Sequence, residues 1–323
     1  MDGHVEIRDL RQHSYSKFHV MNGQIPAAGQ LDLFLHSRAV VLANDVVSAL
    51  LARDLVRAAE CLDRLCAEEP GHHARKALET LCHELDERPF PCANPAQIAD
   101  AIRRLEASLL PAATAAMGDK ATEFLRPLWR DLAQAASAHA YDAAFPESYG
   151  AGLYLRCGDA EAAVASALAI AQHDDNVDAL HWLAVARYRV DGLDACPMPL
   201  MRLALLGPER FPGTLQEIDD PLLNRDWDAF QATCHWLDPE DRSAGAWFPT
   251  WHLIEHPGTP MDCGDLATLP ATRAVQAFGA IARLLKLEKH GYSTSLISAR
   301  RKLRDLDPDM FDLYMARRNV GHR

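Results

Sequence analysis

No stretch of the chain approaches the roughly 20 consecutive apolar residues that a helix needs to cross a bilayer, so no membrane span is expected. The opening residues Met1, Asp2, Gly3 and His4 lead into no basic stretch followed by an apolar run. That lacks the form of a secretory signal, and the expected compartment is the cytoplasm. Phosphate-cradling loops of the forms GxGxxG and GxxxxGK[ST] are missing, as is the GxSxG nucleophile elbow. The eight cysteines, Cys61, Cys66, Cys82, Cys92, Cys157, Cys196, Cys234 and Cys263, include no CxxC pair. Scattered this way in a long chain, they read as buried reduced thiols rather than a disulfide framework or a zinc ribbon. Aromatics make up only 7% of the residues, and nowhere do Val, Ile and Thr alternate as a strand requires. None of these patterns calls for a cofactor.

What is present is helical. Apolar residues form 49% of the chain, with Ala and Leu abundant, which favours helix and provides for a large core. The net charge of −12 favours solubility and argues against general nucleic-acid binding. The charge is uneven: from Arg283 onward ten Lys/Arg face five Asp/Glu, so the remainder carries −17. A basic terminal segment on an acidic body reads either as a solvated helix face or as a docking tail.

Four stretches follow from the punctuation. Residues 1–30 hold Gly, Asn, Gln and Pro with weak periodicity and read as an irregular arm. Residues 31–146 read as helical hairpins: Leu31–Leu51 on Leu31, Leu35, Val40, Val47 and Leu50, then Leu55–Ala67, His73–Leu85, Pro95–Leu110 and Lys120–Tyr141. Pro70-Gly71 and the group Pro89, Pro91 and Pro95 break the pattern, and Asn94 before Pro95 is a capping residue followed by a first-turn proline. Residues 147–206 hold a repeat. Residues 207–323 begin with a proline- and tryptophan-rich segment to about 270, read as short helices with ordered loops. That segment holds Pro239 and Pro260 among its prolines. It gives way to a C-terminal cap of helices at Ala271–His290, at Thr294–Leu306 and from Pro308.

The repeat has a period of 34 residues: Ala151, Tyr154 and Gly158 recur as Val185, Tyr188 and Gly192. Between the glycines a helix is expected over Ala160–Asp175, with Ala163, Ala167 and Ile170 on one side. A glycine permits a tight turn, small alanines let two helices approach, and one hairpin alone cannot bury its apolar face. This pattern resembles the tetratricopeptide repeat, in its small residue (Ala151), aromatic (Tyr154), turn glycine (Gly158) and second-helix alanines (Ala163, Ala167). The next unit keeps Tyr188 and Gly192 but has Pro197 where the family wants a small residue, so its second helix must start late or kink. A looser unit carries Ala58, Leu62, Leu65 and Pro70, with Arg53-Asp54 replacing the turn glycine. The resemblance implies an all-α stack of antiparallel hairpins, an α-solenoid, that holds another protein or a peptide on its concave face. The polar first-helix residues Glu147 and His181 do not match the family's clamp for a peptide carboxylate, but His181 remains a candidate contact on that face.

Several other groups are candidates. Trp227, Phe230, Trp236, Trp247, Phe248 and Trp251 are the densest aromatic cluster, read either as a local core or as anchors for a partner; Trp227, Phe230, Trp247 and Trp251 are the candidate anchors. Arg300 and Arg301, in a run with Lys302 and Arg304, would meet an acidic partner, including a second copy of this chain. His252, Glu255 and His256 have the spacing HxxEH, which resembles the inverzincin zinc-peptidase motif. Four residues apart on a helix, the two imidazoles would share a face and a zinc ion, with Glu255 as general base and Glu288 as a candidate third ligand. Pro249 and Pro257 limit that helix to about two turns. Cys61, Cys66, Cys82 and His83 include soft ligands, but a five-residue spacing separates side chains by about 100° or more on a helix, which favours core thiols.

Overall fold

A computed structural model describes residues 38–87, 90, 92–237, 243–258, 266–291 and 293–320. The expected arm of residues 1–30, Leu31 and Leu35 of the first helix, the prolines Pro89, Pro91, Pro239 and Pro260, and Cys263 lie outside that set. Every regular element among the described residues is helical, and adjacent helices pack against each other. None of these helices is long and apolar enough to cross a membrane.

The N-terminal part consists of α1 (Arg38–Leu51), α2 (Leu55–Glu68), α3 (Arg75–Asp86), α4 (Pro95–Arg104), α5 (Leu110–Met117) and α6 (Ala121–Ala136). Asn94 caps α4 by accepting from Gln97 N, with Pro95 in the first turn. The expected stop at Leu110 does not occur. A π turn at Leu105–Leu109 precedes Pro111, which has no N–H to give to the turn before it, and the chain continues helically to Met117. Arg53 adopts φ +60° between α1 and α2, the conformation a glycine would otherwise supply. Its guanidinium donates to the Phe124 carbonyl and lies 4.5 Å from the Phe124 ring centroid, which holds the turn from outside.

Next come α7 (Gly150–Cys157) and α8 (Ala160–Leu168), then α9 (Val177–Asp191) and α10 (Pro197–Leu206). Gly158 closes α7 in the left-handed region at φ +80°, and Asp159 caps α8 through Ala162 N. Gly192 closes α9 at φ +79° and ψ −164°. Pro197 sits in the first turn of α10, so the second helix of this unit starts late rather than kinking. The helix expected to reach Asp175 stops at Leu168. Residues His173–Asp175 instead turn around the buried Arg202 of α10, which takes the Asp174 carbonyl, the Asp175 carboxylate and the Thr268 hydroxyl.

The C-terminal part comprises α11 (Phe211–Ile218), α12 (Pro221–Thr233), α13 (Phe248–Glu255), α14 (Arg273–Glu288), α15 (Thr294–Leu306) and α16 (Pro308–Val320). Two hydrophobic cores form. One spans Ala39 to Cys157; the other spans Tyr149 to Tyr314, with no break at 206/207. Helix α7 serves both: Leu153 and Cys157 enter the first core, Ala151 and Leu155 the second.

Candidate functional site

Helices α7, α9 and α11, alternate helices along the chain, lie side by side, with α7 against α9 and α9 against α11. Close approach of the first pair depends on Gly152, where a Cβ would stand 3.1 Å from Trp182 Nε1. A cavity of about 420 Å³ opens on this face, between the Pro146-Glu147 turn, α7, α9 and α11 with the Arg210 that precedes it. Its walls are charged, and nearly every charge is answered. Arg210 Nη1 lies 2.7 Å from Asp178 Oδ1, whose other oxygen accepts from Tyr141 OH at 2.7 Å. Arg189 donates to the Leu155 carbonyl at 3.0 Å and to Glu217 Oε1 at 3.1 Å. His181 Nδ1 is 2.8 Å from Thr214 Oγ1, and its Nε2 is 3.4 Å from Glu217 Oε2. The imidazole beside it holds the Glu217 carboxyl below the usual carboxylate range, against the opposing effect of burial. At the mouth, Arg156 pairs with Glu106 and lies 4.8 Å over Trp129, while exposed Glu147 has no ion pair among the described residues.

A second constellation lies where α12 meets α13. Asp226 Oδ2 is 3.3 Å from His256 Nε2 and 3.9 Å from His252 Nε2. Ligating atoms of the three residues all lie within 4.8 Å of one another, and the two imidazole centroids are 4.6 Å apart. His252 belongs to the last turn of the eight-residue α13, and His256 is the cap beyond it, with N–H bonded to the His252 carbonyl at 2.8 Å. Burial, reinforced by neighbouring His256 and opposed by Asp226, pushes His252 down to about 4, so its imidazole is neutral at pH 7.

The HxxEH expectation is corrected in two respects. His256 is not on a helix, and Glu255 turns away from the histidines to accept from Arg317 Nε at 2.7 Å, so it is not poised as a general base. Glu288 is no third ligand either: it binds Arg300, Tyr314 and Arg318 near the C-terminus. The carboxylate that joins the histidines is Asp226, which the spacing within residues 252–256 did not reveal.

The aromatic cluster is also revised. Phe230 and Trp251 are 2% and 3% exposed and form a buried set with Phe248, so neither is displayed as an anchor for a partner. Trp227 and Trp247 are half-buried at its margin. Arg300 is not free to meet a partner: it bonds Glu288 and Tyr314 OH, each at 3.2 Å. Arg301 remains exposed. Beside it, Arg283, Lys302 and the hydroxyls of Thr294, Ser295 and Ser298 line a cavity of about 530 Å³ between α14 and α15. Of the thiols, Cys61, Cys157, Cys196 and Cys234 are buried, and none of the seven described is in a disulfide.

Comparison with family models, with curated proteins and with solved structures gave no match.

Proposed function

We propose that this chain is a helical-repeat scaffold of tetratricopeptide type that binds an extended segment of another protein in the groove of α7, α9 and α11. The observation that carries the reading is the side-by-side packing of these three helices around a polar-walled cavity on one face. The turns add support. Gly158 and Gly192 stand 34 residues apart with positive φ, and Arg53 takes the same role between α1 and α2. Because the guanidinium and carboxylate groups of the groove answer one another, the partner is chosen by hydrogen-bond geometry rather than by one dominant sign of charge. Glu147, exposed and without an ion pair among the described residues, marks the mouth and calls for a cationic group on the partner.

Affinity purification of the full chain from its native host, at natural expression level and read by mass spectrometry, tests this. A stoichiometric partner is expected whose binding slows backbone hydrogen exchange at the edges of α7, α9 and α11. Protection confined to other helices, or recovery of the chain with no stoichiometric companion, would defeat the reading.

A further inference from the structure

Asp226 on α12, His252 in the last turn of α13 and His256 just beyond that helix converge on one point, and their hydrogen bonding is incomplete. A single carboxylate oxygen, Asp226 Oδ2, faces both Nε2 atoms. At 3.3 Å the pair with His256 is marginal, and at 3.9 Å the approach of His252 exceeds hydrogen-bond reach. His252 Nδ1 is buried with no hydrogen-bond partner among the described residues. A 12% exposed side chain with neither ring nitrogen bonded is costly unless something else satisfies it. The opposite oxygen, Asp226 Oδ1, is taken by Arg225 at 3.1 Å, which orients Oδ2 towards the histidines. Arg225 itself is 67% exposed, so solvent screens its charge.

We propose that these three residues bind a divalent transition-metal ion of zinc chemistry, with two imidazole nitrogens and one carboxylate oxygen as protein ligands and a fourth position on the side of His256. The spacing supports this. Ligands about 2.0–2.1 Å from a tetrahedral zinc stand about 3.3 Å apart, which is the separation His256 and Asp226 already have. The remaining pairs, all within 4.8 Å, reach that value by small side-chain rotations. Two nitrogen donors exclude magnesium and calcium, which take oxygen ligands. His256 is 38% exposed, so the ion enters from its side, while His252 and Asp226 at 12% and 14% form the inner wall. Since Asp226 lies on α12 and the histidines at the end of α13, the ion joins the two helices over the aromatic set of Trp227, Phe230, Phe248 and Trp251. With Glu255 held by Arg317, the role of the ion is to clip these helices together.

The test uses the full chain, prepared without a histidine tag and stripped with a chelator. Zn²⁺ titrated by calorimetry should bind at one ion per chain and raise the melting temperature, while Mg²⁺ at the same concentration leaves it unchanged. His256→Ala and Asp226→Asn, both at partly buried positions, should each weaken Zn²⁺ binding more than about tenfold. Co²⁺ bound to the wild-type chain should give the intense visible bands of a four-coordinate ion, a readout that does not depend on any variant folding. Equal Zn²⁺ affinity in wild type and His256→Ala, or a Co²⁺ spectrum of the weak six-coordinate kind, would overturn the proposal.

Discussion

The Tyr188 hydroxyl donates to Asp220 Oδ2 at 3.0 Å, while Asp220 Oδ1 accepts the backbone N–H groups of Leu222 and Leu223. One buried carboxylate thus ties the last turns of α9 to the start of α12 and links the repeat-like pair of hairpins to the segment beyond it. Removing Asp220 with Asp220→Ala deletes a helix cap and orphans the tyrosine, an expected loss of about 2 kcal/mol. Tyr188→Phe removes only one hydrogen bond and should cost less. Urea denaturation of both variants checks the order; equal losses would contradict it.

The two turn glycines differ in what they demand. Gly158 sits in the left-handed region, at φ +80° and ψ 17°, with open space where a Cβ would go. Gly192, at φ +79° and ψ −164°, occupies backbone space that only glycine visits readily. Gly158→Ala should cost about 1 kcal/mol and Gly192→Ala about 2–3 kcal/mol. Gly158→Val should fall between them, because β-branching adds crowding at positive φ. Melting curves that rank Gly158→Ala as the worse change would count against the turn geometry.

Arg202 is 2% exposed, and its guanidinium holds together the His173–Asp175 turn and Thr268. Arg202→Met should destabilise by about 3 kcal/mol, largely because the turn loses the group it is built around. A double-mutant cycle with Asp175→Asn should then return a coupling that differs from zero. Additive losses would show that the pair does not act as a unit.

Alkali should weaken the fold. Burial pushes Cys82 and Cys196 up to about 11 and Cys234 up to about 12, and Tyr141 and Tyr314 are also raised chiefly by burial. Below the ordinary thiol value of about 8.5 both states keep these protons, so no stability depends on them. Above it the unfolded chain releases protons that the folded chain retains, so stability falls as pH rises through about 9 to 11. The denaturation midpoint at pH 10 should lie below that at pH 7.5, and Cys196→Ala should flatten the dependence. A midpoint independent of pH over this range would refute the assignment.

What was legible in the sequence was local. Asn94-Pro95, Gly158-Asp159 and Pro197 carry their meaning within a few residues, because capping and φ restriction act at that range. The start of the last helix was legible for the same reason, Asp307 before Pro308 supplying a capping oxygen, whereas the Ser293 cap of the helix before it emerged only in the structure. The candidate sites were harder because they depend on distant partners. Asp226 meets histidines 26 and 30 residues away, and Glu255 is claimed by Arg317, 62 residues on. Side-chain type alone also does not say whether Phe230 and Trp251 face a partner or the interior. Their burial is decided by how α12, α13 and α14 close over them.

The most direct measurement of the central claim is the affinity of the purified partner for the wild-type chain and for Glu147→Arg. This residue lies at the mouth of the α7, α9 and α11 groove with no ion pair among the described residues, so the variant should melt with the wild type. Binding should weaken by about tenfold, roughly 1.4 kcal/mol, as a cation meets a cationic group on the partner. Unchanged affinity at unchanged stability would place the partner elsewhere and contradict the groove as the binding site.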